Sequence, residues 1–229
     1  MSTLIPQSFE TSEIEISSSI SILRKHGINL TLNDALQNKI NASTLFDGSD
    51  GLFKQLIDET KIYFEYGCGK STEYVFKFTD AKIFSVDTSK TWVARVSNLE
   101  ENNKRNSQRL AINWVDVGEV AEWGYPISFK KRKNFINYTN WFWTLDLKPD
   151  LVLIDGRFRI SCFLNSIKYA EVGTKILFDD YLDRQFYHIA EEILPASDYC
   201  GRQALFIVNE KAKNLITNEL LKSFENVVM

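Results

Sequence analysis

The chain lacks most of what would tie it to an oxidising compartment, a membrane or a nucleic acid. Its three cysteines, Cys68, Cys162 and Cys200, are an odd and widely separated set, which suits neither a disulfide framework nor the paired ligand spacing of a zinc site. They read as reduced thiols of a cytoplasmic protein. No apolar run approaches the roughly 20 residues that span a bilayer. The start Met1-Ser-Thr-Leu-Ile-Pro6 has no basic stretch ahead of an apolar one, as a secretion signal would. Charge of one sign is also lacking: 27 Lys and Arg stand against 30 Asp and Glu, for a formal net charge of -3. Nucleic acid is therefore offered no global attraction, and any recognition of an anion must be local.

What is present is a chain of 229 residues, long enough for one large domain whose core needs no metal or disulfide staple. Residues 1–50 are polar and serine-rich and are expected to form a helical extension. Ser12 with Glu15 fits a capping box ahead of Ile16, Ile20 and Leu23 on one face, although Ile14, Ile16, Ile20 and Ile22 also fit a strand alternation. A second short helix is expected over 36–40, and Asp50 can cap a third through Leu52, Phe53, Leu56 and Ile57.

From residue 51 to 229 strand and helix patterns alternate, which predicts an α/β domain of parallel strands joined by right-handed crossovers. Strands are expected at 62–66, 82–86, 110–115, 151–154, 175–178 and 204–208. Helices are expected at 71–78, around Trp92 to Leu99, and at 162–170, 186–194 and 215–224. The alternation stops over about 117–148, where Trp123, Tyr125, Phe129, Tyr138, Trp141 and Trp143 surround Lys130-Lys-Arg-Lys133. This aromatic and basic stretch is expected to be an insertion beside the site, or else a cover for one sheet face.

The sharpest local signal is Lys61-Ile-Tyr-Phe-Glu-Tyr-Gly-Cys-Gly-Lys-Ser-Thr72, a strand, a glycine turn and a helix start. Glycines let the backbone turn tightly and let a ligand approach it, while the first N–H groups of the helix are free to donate. Gly69-Lys70-Ser71 suggests a phosphate-binding P-loop, but that motif needs a glycine where Phe64 stands. A dinucleotide fingerprint needs a third glycine where Thr72 stands.

Every expected parallel strand ends in acid: Glu65, Asp87, Asp116, Asp155, and Asp179 with Asp180. Ligands of open parallel sheets bind at these carboxyl ends. Asp87 lies about twenty residues beyond the glycine turn, where an acid accepts both ribose hydroxyls of an adenosine cofactor, a placement that suits NAD equally well.

The hydrophobic strand followed by Glu65-x-Gly67-x-Gly69 resembles the first motif of the class I S-adenosylmethionine-dependent methyltransferases. The resemblance implies a Rossmann-like, mostly parallel, doubly wound sheet of about seven strands. It implies that the turn of Gly67, Cys68, Gly69 and Ser71 packs against the methionine part of the cofactor, that Glu65 orients its amino group, and that Asp87 and Asp116 serve ribose and adenine. Asp155 with Asp179 and Asp180 resembles the metal sites of the catechol O-methyltransferase type. That likeness implies Mg2+ or another divalent cation on the three carboxylates, with Asp155 and Asp179 catalytic.

Arg157, Arg159 and Arg184 stand in the same segments. They allow a different account, in which they pair with the aspartates or grip an anionic substrate. His188 is the better of two histidines for a general base. The expectation is a cytoplasmic enzyme that methylates an oxygen of a small polar or anionic acceptor, such as a sugar or glycan, with a homo-oligomer left open. Its rivals are an NAD-binding oxidoreductase and a non-catalytic adaptor that uses the stretch from Trp123 to Trp143 as an interaction surface.

Overall fold

The computed structural model describes residues 44–48, 50–101 and 108–228, with side chains 100 and 101 left aside. The elements expected before residue 44 lie outside these residues. The chain from Leu45 onward forms one compact unit.

Seven strands make a single sheet in the order β3-β2-β1-β4-β5-β7-β6. They are β1 (Ile62–Tyr66), β2 (Lys82–Asp87), β3 (Leu110–Trp114), β4 (Leu151–Ile154), β5 (Lys175–Phe178), β6 (Asp198–Cys200) and β7 (Gln203–Ile207). The first five are parallel and in the expected places, while β7 runs antiparallel to both β5 and β6. The short β6, absent from the sequence reading, is the edge of a hairpin turned at Gly201 and Arg202.

Helices cover both faces because the central strands are apolar on both. One face carries Tyr63, Ile83, Leu151, Leu153 and Leu177 against α1 (Gly51–Asp58) and α2 (Lys70–Phe78). The other carries Phe64, Tyr66, Val152, Ile154, Ile176 and Phe178 against α4 (Phe135–Asn140) and α5 (Arg159–Tyr169). Between them in sequence, α3 (Lys90–Glu101) packs on β2 and β3.

The aromatic stretch divides in two. Phe135, Tyr138 and Phe142 are fully buried, and Phe142 stacks on Phe64 with ring centroids 4.6 Å apart. They cover the sheet face between β3 and β4, where the crossover of a doubly wound fold must pack. Trp123, Tyr125 and Phe129 stay exposed. Two other expectations are modified. Residues 185–192 form a 3-10 helix, and the closing helix, α7 (Asn218–Phe224), is preceded by a short helix absent from the sequence reading, α6 (Glu210–Leu215). The closing helix starts at Thr217, whose hydroxyl accepts from the Leu220 N–H as an N-cap.

Candidate active site

The sheet order reverses direction between β1 and β4, with β2 and β3 to one side of β1 and β5 to the other side of β4. Their carboxyl ends open the crevice in which sheets of this class bind ligands. At its floor two glycines meet. A Cβ on Gly67 would lie 2.7 Å from the Gly156 Cα, and a Cβ on Gly156 would lie 2.8 Å from the Gly67 nitrogen and 2.0 Å from the Tyr138 hydroxyl. Gly67 also holds φ at +96°, where only glycine is relaxed. Gly69, by contrast, faces open space bounded by the Trp92 ring 3.9 Å away.

Glu65, at the end of β1, is fully buried. Its carboxylate accepts from the Ser71 hydroxyl, from Thr72 Oγ1 at 2.5 Å and from Ser85 Oγ at 2.6 Å. Thr72 Oγ1 in turn accepts from the Gly69 N–H at 2.9 Å. Glu65 therefore bolts the glycine turn and the first turn of α2 to β2, and Thr72 does work that a third glycine could not. Burial pushes Glu65 up to about 7, against the pull of those hydroxyls.

Asp87, at the end of β2, ties the turn from the other side. One oxygen accepts from the Cys68 N–H at 2.9 Å and the other from the Ser89 N–H at 2.6 Å. Burial raises it to about 6, and each oxygen keeps a lone pair for a ribose hydroxyl. Cys68 is a buried thiol raised far above its ordinary value by burial beside Asp87. It is a small packing residue of the turn and not a nucleophile. Asp116, just past β3, is less enclosed. It accepts from Lys131 Nζ at 2.5 Å and from the Gly118 N–H at 3.0 Å, and Lys131 holds it below its ordinary value. A tight hairpin tipped by Trp123 folds back over Asp87, held by a 2.7 Å bond from Thr88 Oγ1 to the Gly124 carbonyl.

At the ends of β4 and β5, carboxylate oxygens of Asp155, Asp179 and Asp180 gather within 4.8 Å of one another. Arginines already occupy them. Arg159, 2 % exposed along its side chain, sits 3.2 Å from both Asp155 Oδ1 and Asp180 Oδ2, and donates to the Asp179 carbonyl at 2.6 Å. Arg184 reaches Asp180 at 2.6 Å. Arg202 grips the fully buried Asp179 with two bonds of 3.1 and 2.6 Å, and Gln203 Nε2 adds a third at 3.1 Å. Three guanidinium groups thus balance three carboxylates. A divalent ion with an all-oxygen shell needs those same lone pairs, so the residues as arranged do not fit a metal. Burial and the neighbouring Asp179 charge still hold Asp155 above the ordinary carboxylate range.

Arg157 differs from its neighbours. No carboxylate partners it among the described residues, and its Nε is buried without a hydrogen bond. His188, also on this side, places Nε2 3.2 Å from the Tyr181 carbonyl, with its ring 5.0 Å from the Tyr181 ring. Sequence reasoning missed Arg202 and Gln203, which lie on the unrecognised hairpin. It also missed Gly156 as the partner of Gly67, for which the Asp155-Gly156 pair at a strand end was the available signal.

A scan against family models and a search of curated proteins found no match. Among solved structures the chain is similar to a methyltransferase-like protein from Silicibacter pomeroyi. The two are 27% identical, the match covers 80% of this chain and 96% of that one, and the TM-score is 0.69. This chain has the class I methyltransferase fold. The strand order with its antiparallel β7 is shared architecture of that fold. More distant likenesses include the N-methyltransferase NodS from Bradyrhizobium japonicum with bound S-adenosylhomocysteine, at 13% identity over 73% of this chain and 90% of that one, TM-score 0.46. Another is the S-adenosylhomocysteine-bound methyltransferase PaMTH1 from Podospora anserina, at 15% identity over 98% and 88%, TM-score 0.43. No described helix is long and apolar enough to cross a membrane.

Proposed function

We propose that the chain is an S-adenosylmethionine-dependent methyltransferase that acts on an oxygen of a small polar or anionic acceptor. The observation that carries the reading is the crevice between Gly67 and Gly156, where backbone approaches backbone with no side chain between and Asp87 closes the neighbouring strand end. A cofactor with a ribose and an amino-acid half fits this cradle. Gly69 leaves room above the turn, and Asp87 keeps acceptor capacity for hydroxyls. S-adenosylmethionine supplies an electrophilic methyl group on sulfur, so the protein's share is chiefly to align an acceptor oxygen with it and to keep water out.

The residues divide that work. Glu65, bonded to three hydroxyls, fixes the turn. This makes it a positioning group for the cofactor site. The carboxylates of Asp155, Asp179 and Asp180 are neutralised by Arg159, Arg184 and Arg202 in place of a divalent cation, which supports transfer without metal assistance. We assign proton removal from the acceptor to His188. Its Nε2 faces the Tyr181 carbonyl and so carries the proton, which leaves Nδ1 as the base. A sugar or glycan acceptor suits the polar surroundings. The domain division, with residues 1–50 as an extension to the catalytic unit, is proposed on the composition of that segment, its last residues from Leu45 onward belonging to the compact unit. The oxidoreductase reading finds less support, because Thr72 fills the position that a dinucleotide fingerprint leaves bare. The adaptor reading loses part of its surface, since the rings of Trp141 and Trp143 pack against Phe142 and Phe64. Saturable binding of S-adenosylhomocysteine to the purified protein tests the proposal.

A further inference from the structure

Of the four arginines at the carboxyl ends of β4 and β5, Arg159, Arg184 and Arg202 hold aspartates. Arg157 holds none among the described residues. It leaves the crevice one residue after Gly156, and its backbone N–H donates to the Tyr138 hydroxyl at 3.3 Å. Its Nε is buried without an acceptor. No carboxylate among the described residues rewards this placement. Burial and the nearby Arg159 both work against its charge, with Arg184 adding to them. A cation partly withdrawn from water among other cations is costly unless an anion completes the site.

A second orphan lies beside it. Tyr187 is fully buried, its ring packs 4.9 Å from Phe178 at the end of β5, and the Arg159 guanidinium stands 5.7 Å from that ring. The Tyr187 hydroxyl has no hydrogen-bond partner. Buried hydroxyls almost always find one. Arg157 and Tyr187 lie within electrostatic reach of each other, and both leave a donor unpaired, so a single acceptor group placed between them would serve both. That group must accept hydrogen bonds and carry negative charge, and its natural form beside a planar guanidinium is a carboxylate.

We propose that Arg157 and Tyr187 form the seat of a carboxylate at the mouth of the Gly67–Gly156 crevice. The seat rests on the methyltransferase reading for its role and deepens it. The carboxylate is carried either by the amino-acid half of the cofactor or by the acceptor. In the second case the acceptor class narrows to carboxylic acids, such as uronates and hydroxy acids.

The test is calorimetric, on the full chain, with wild type, Arg157→Gln and Tyr187→Phe. Three probes are used: S-adenosylhomocysteine, methylthioadenosine, which lacks the amino-acid half, and malonate titrated into the protein saturated with S-adenosylhomocysteine. If the cofactor supplies the carboxylate, Arg157→Gln weakens S-adenosylhomocysteine at least tenfold and leaves methylthioadenosine unchanged, and Tyr187→Phe gives a smaller loss of the same selectivity. If the acceptor supplies it, both adenosine probes bind all three proteins alike. Malonate then binds the loaded wild type saturably and Arg157→Gln at least tenfold more weakly. Equal loss of both adenosine probes, or unchanged adenosine probes with no malonate binding, overturns the proposal. If wild type binds no S-adenosylhomocysteine, it is the methyltransferase reading that fails. Malonate titrated into the free protein then decides the seat by the same tenfold criterion. Tyr187→Phe removes one oxygen and keeps the ring, so it preserves the test should Arg157→Gln fold poorly.

Discussion

Gly67 and Gly156 touch backbone to backbone across the crevice between β1 and β4, so closely that neither position has room for a methyl group. This contact sets the separation of the two strand ends and keeps the floor of the crevice free of side chains. It joins the fold to the proposed chemistry, because a cofactor lying across β1 and β4 must rest on bare backbone.

Gly156→Ala should therefore cost about 1–3 kcal/mol of stability, the usual range for overpacking, read as a lower urea midpoint with an unchanged slope. The added methyl meets the Tyr138 hydroxyl at 2.0 Å and the Gly67 nitrogen at 2.8 Å. Combining it with Tyr138→Phe should recover part of the loss and not all, since the backbone clash remains. Full additivity of the two changes would contradict the contact.

Two buried acids give the pH dependence an unusual sign. Glu65 moves from 4.5 to about 7 and Asp87 from 3.8 to about 6, in both cases because burial penalises the charge. Between those values the folded chain holds protons that the unfolded chain has released. The contribution of each group is thus fullest below its ordinary value and declines as pH rises through its folded value. Glu65→Gln should flatten its share of that decline, which is on the order of 3 kcal/mol, in denaturant titrations from pH 4.5 to 8. A decline of the same size in the variant would place its source elsewhere.

Cofactor affinity should have the opposite trend. Ribose hydroxyls donate to a carboxylate, so binding of S-adenosylhomocysteine should strengthen as pH rises through about 6, where Asp87 ionises. Asp87→Asn should weaken binding at least tenfold and abolish the pH dependence. A variant that binds like wild type would remove Asp87 from the ribose site.

Arg202→Met leaves the fully buried Asp179 carboxylate with Gln203 as its remaining side-chain donor. Stranding a buried charge costs about 3–5 kcal/mol, and adding Asp179→Asn should recover most of it. Neither millimolar Mg2+ nor EDTA should shift the melting temperature of the wild type. Stabilisation by Mg2+ that EDTA reverses would show that the aspartates exchange arginines for metal. With an acceptor in hand, His188→Gln should lower kcat at least tenfold with cofactor affinity unchanged. An unchanged kcat would end its role as base.

The parallel part of the sheet was legible because its signals are local. Apolar runs such as Leu151–Ile154 and Lys175–Phe178 end in acids, and the turn after Tyr66 has glycines where a ligand needs them. The pairing of Arg202 with Asp179 was not legible. It depends on a hairpin whose β6 has three residues, too few to show a period, and on a partner 23 positions away. Likewise the helix from Phe135 to Asn140 has six residues. Its aromatic content marked the segment, but nothing local said that Phe142 would stack on Phe64 while Trp123 would stay in solvent. The arginines near Asp155 were visible in sequence. Which of them pair with aspartates and which stands apart is a matter of three-dimensional reach.

The measurement that bears most directly on the account is calorimetric titration of the purified chain with S-adenosylhomocysteine in EDTA, repeated with Mg2+, with NADH as the competing ligand. The account predicts saturable binding with one site per chain, the same affinity with and without metal, and no heat from NADH. Absence of S-adenosylhomocysteine binding in both buffers, or saturable NADH binding in its place, would contradict it.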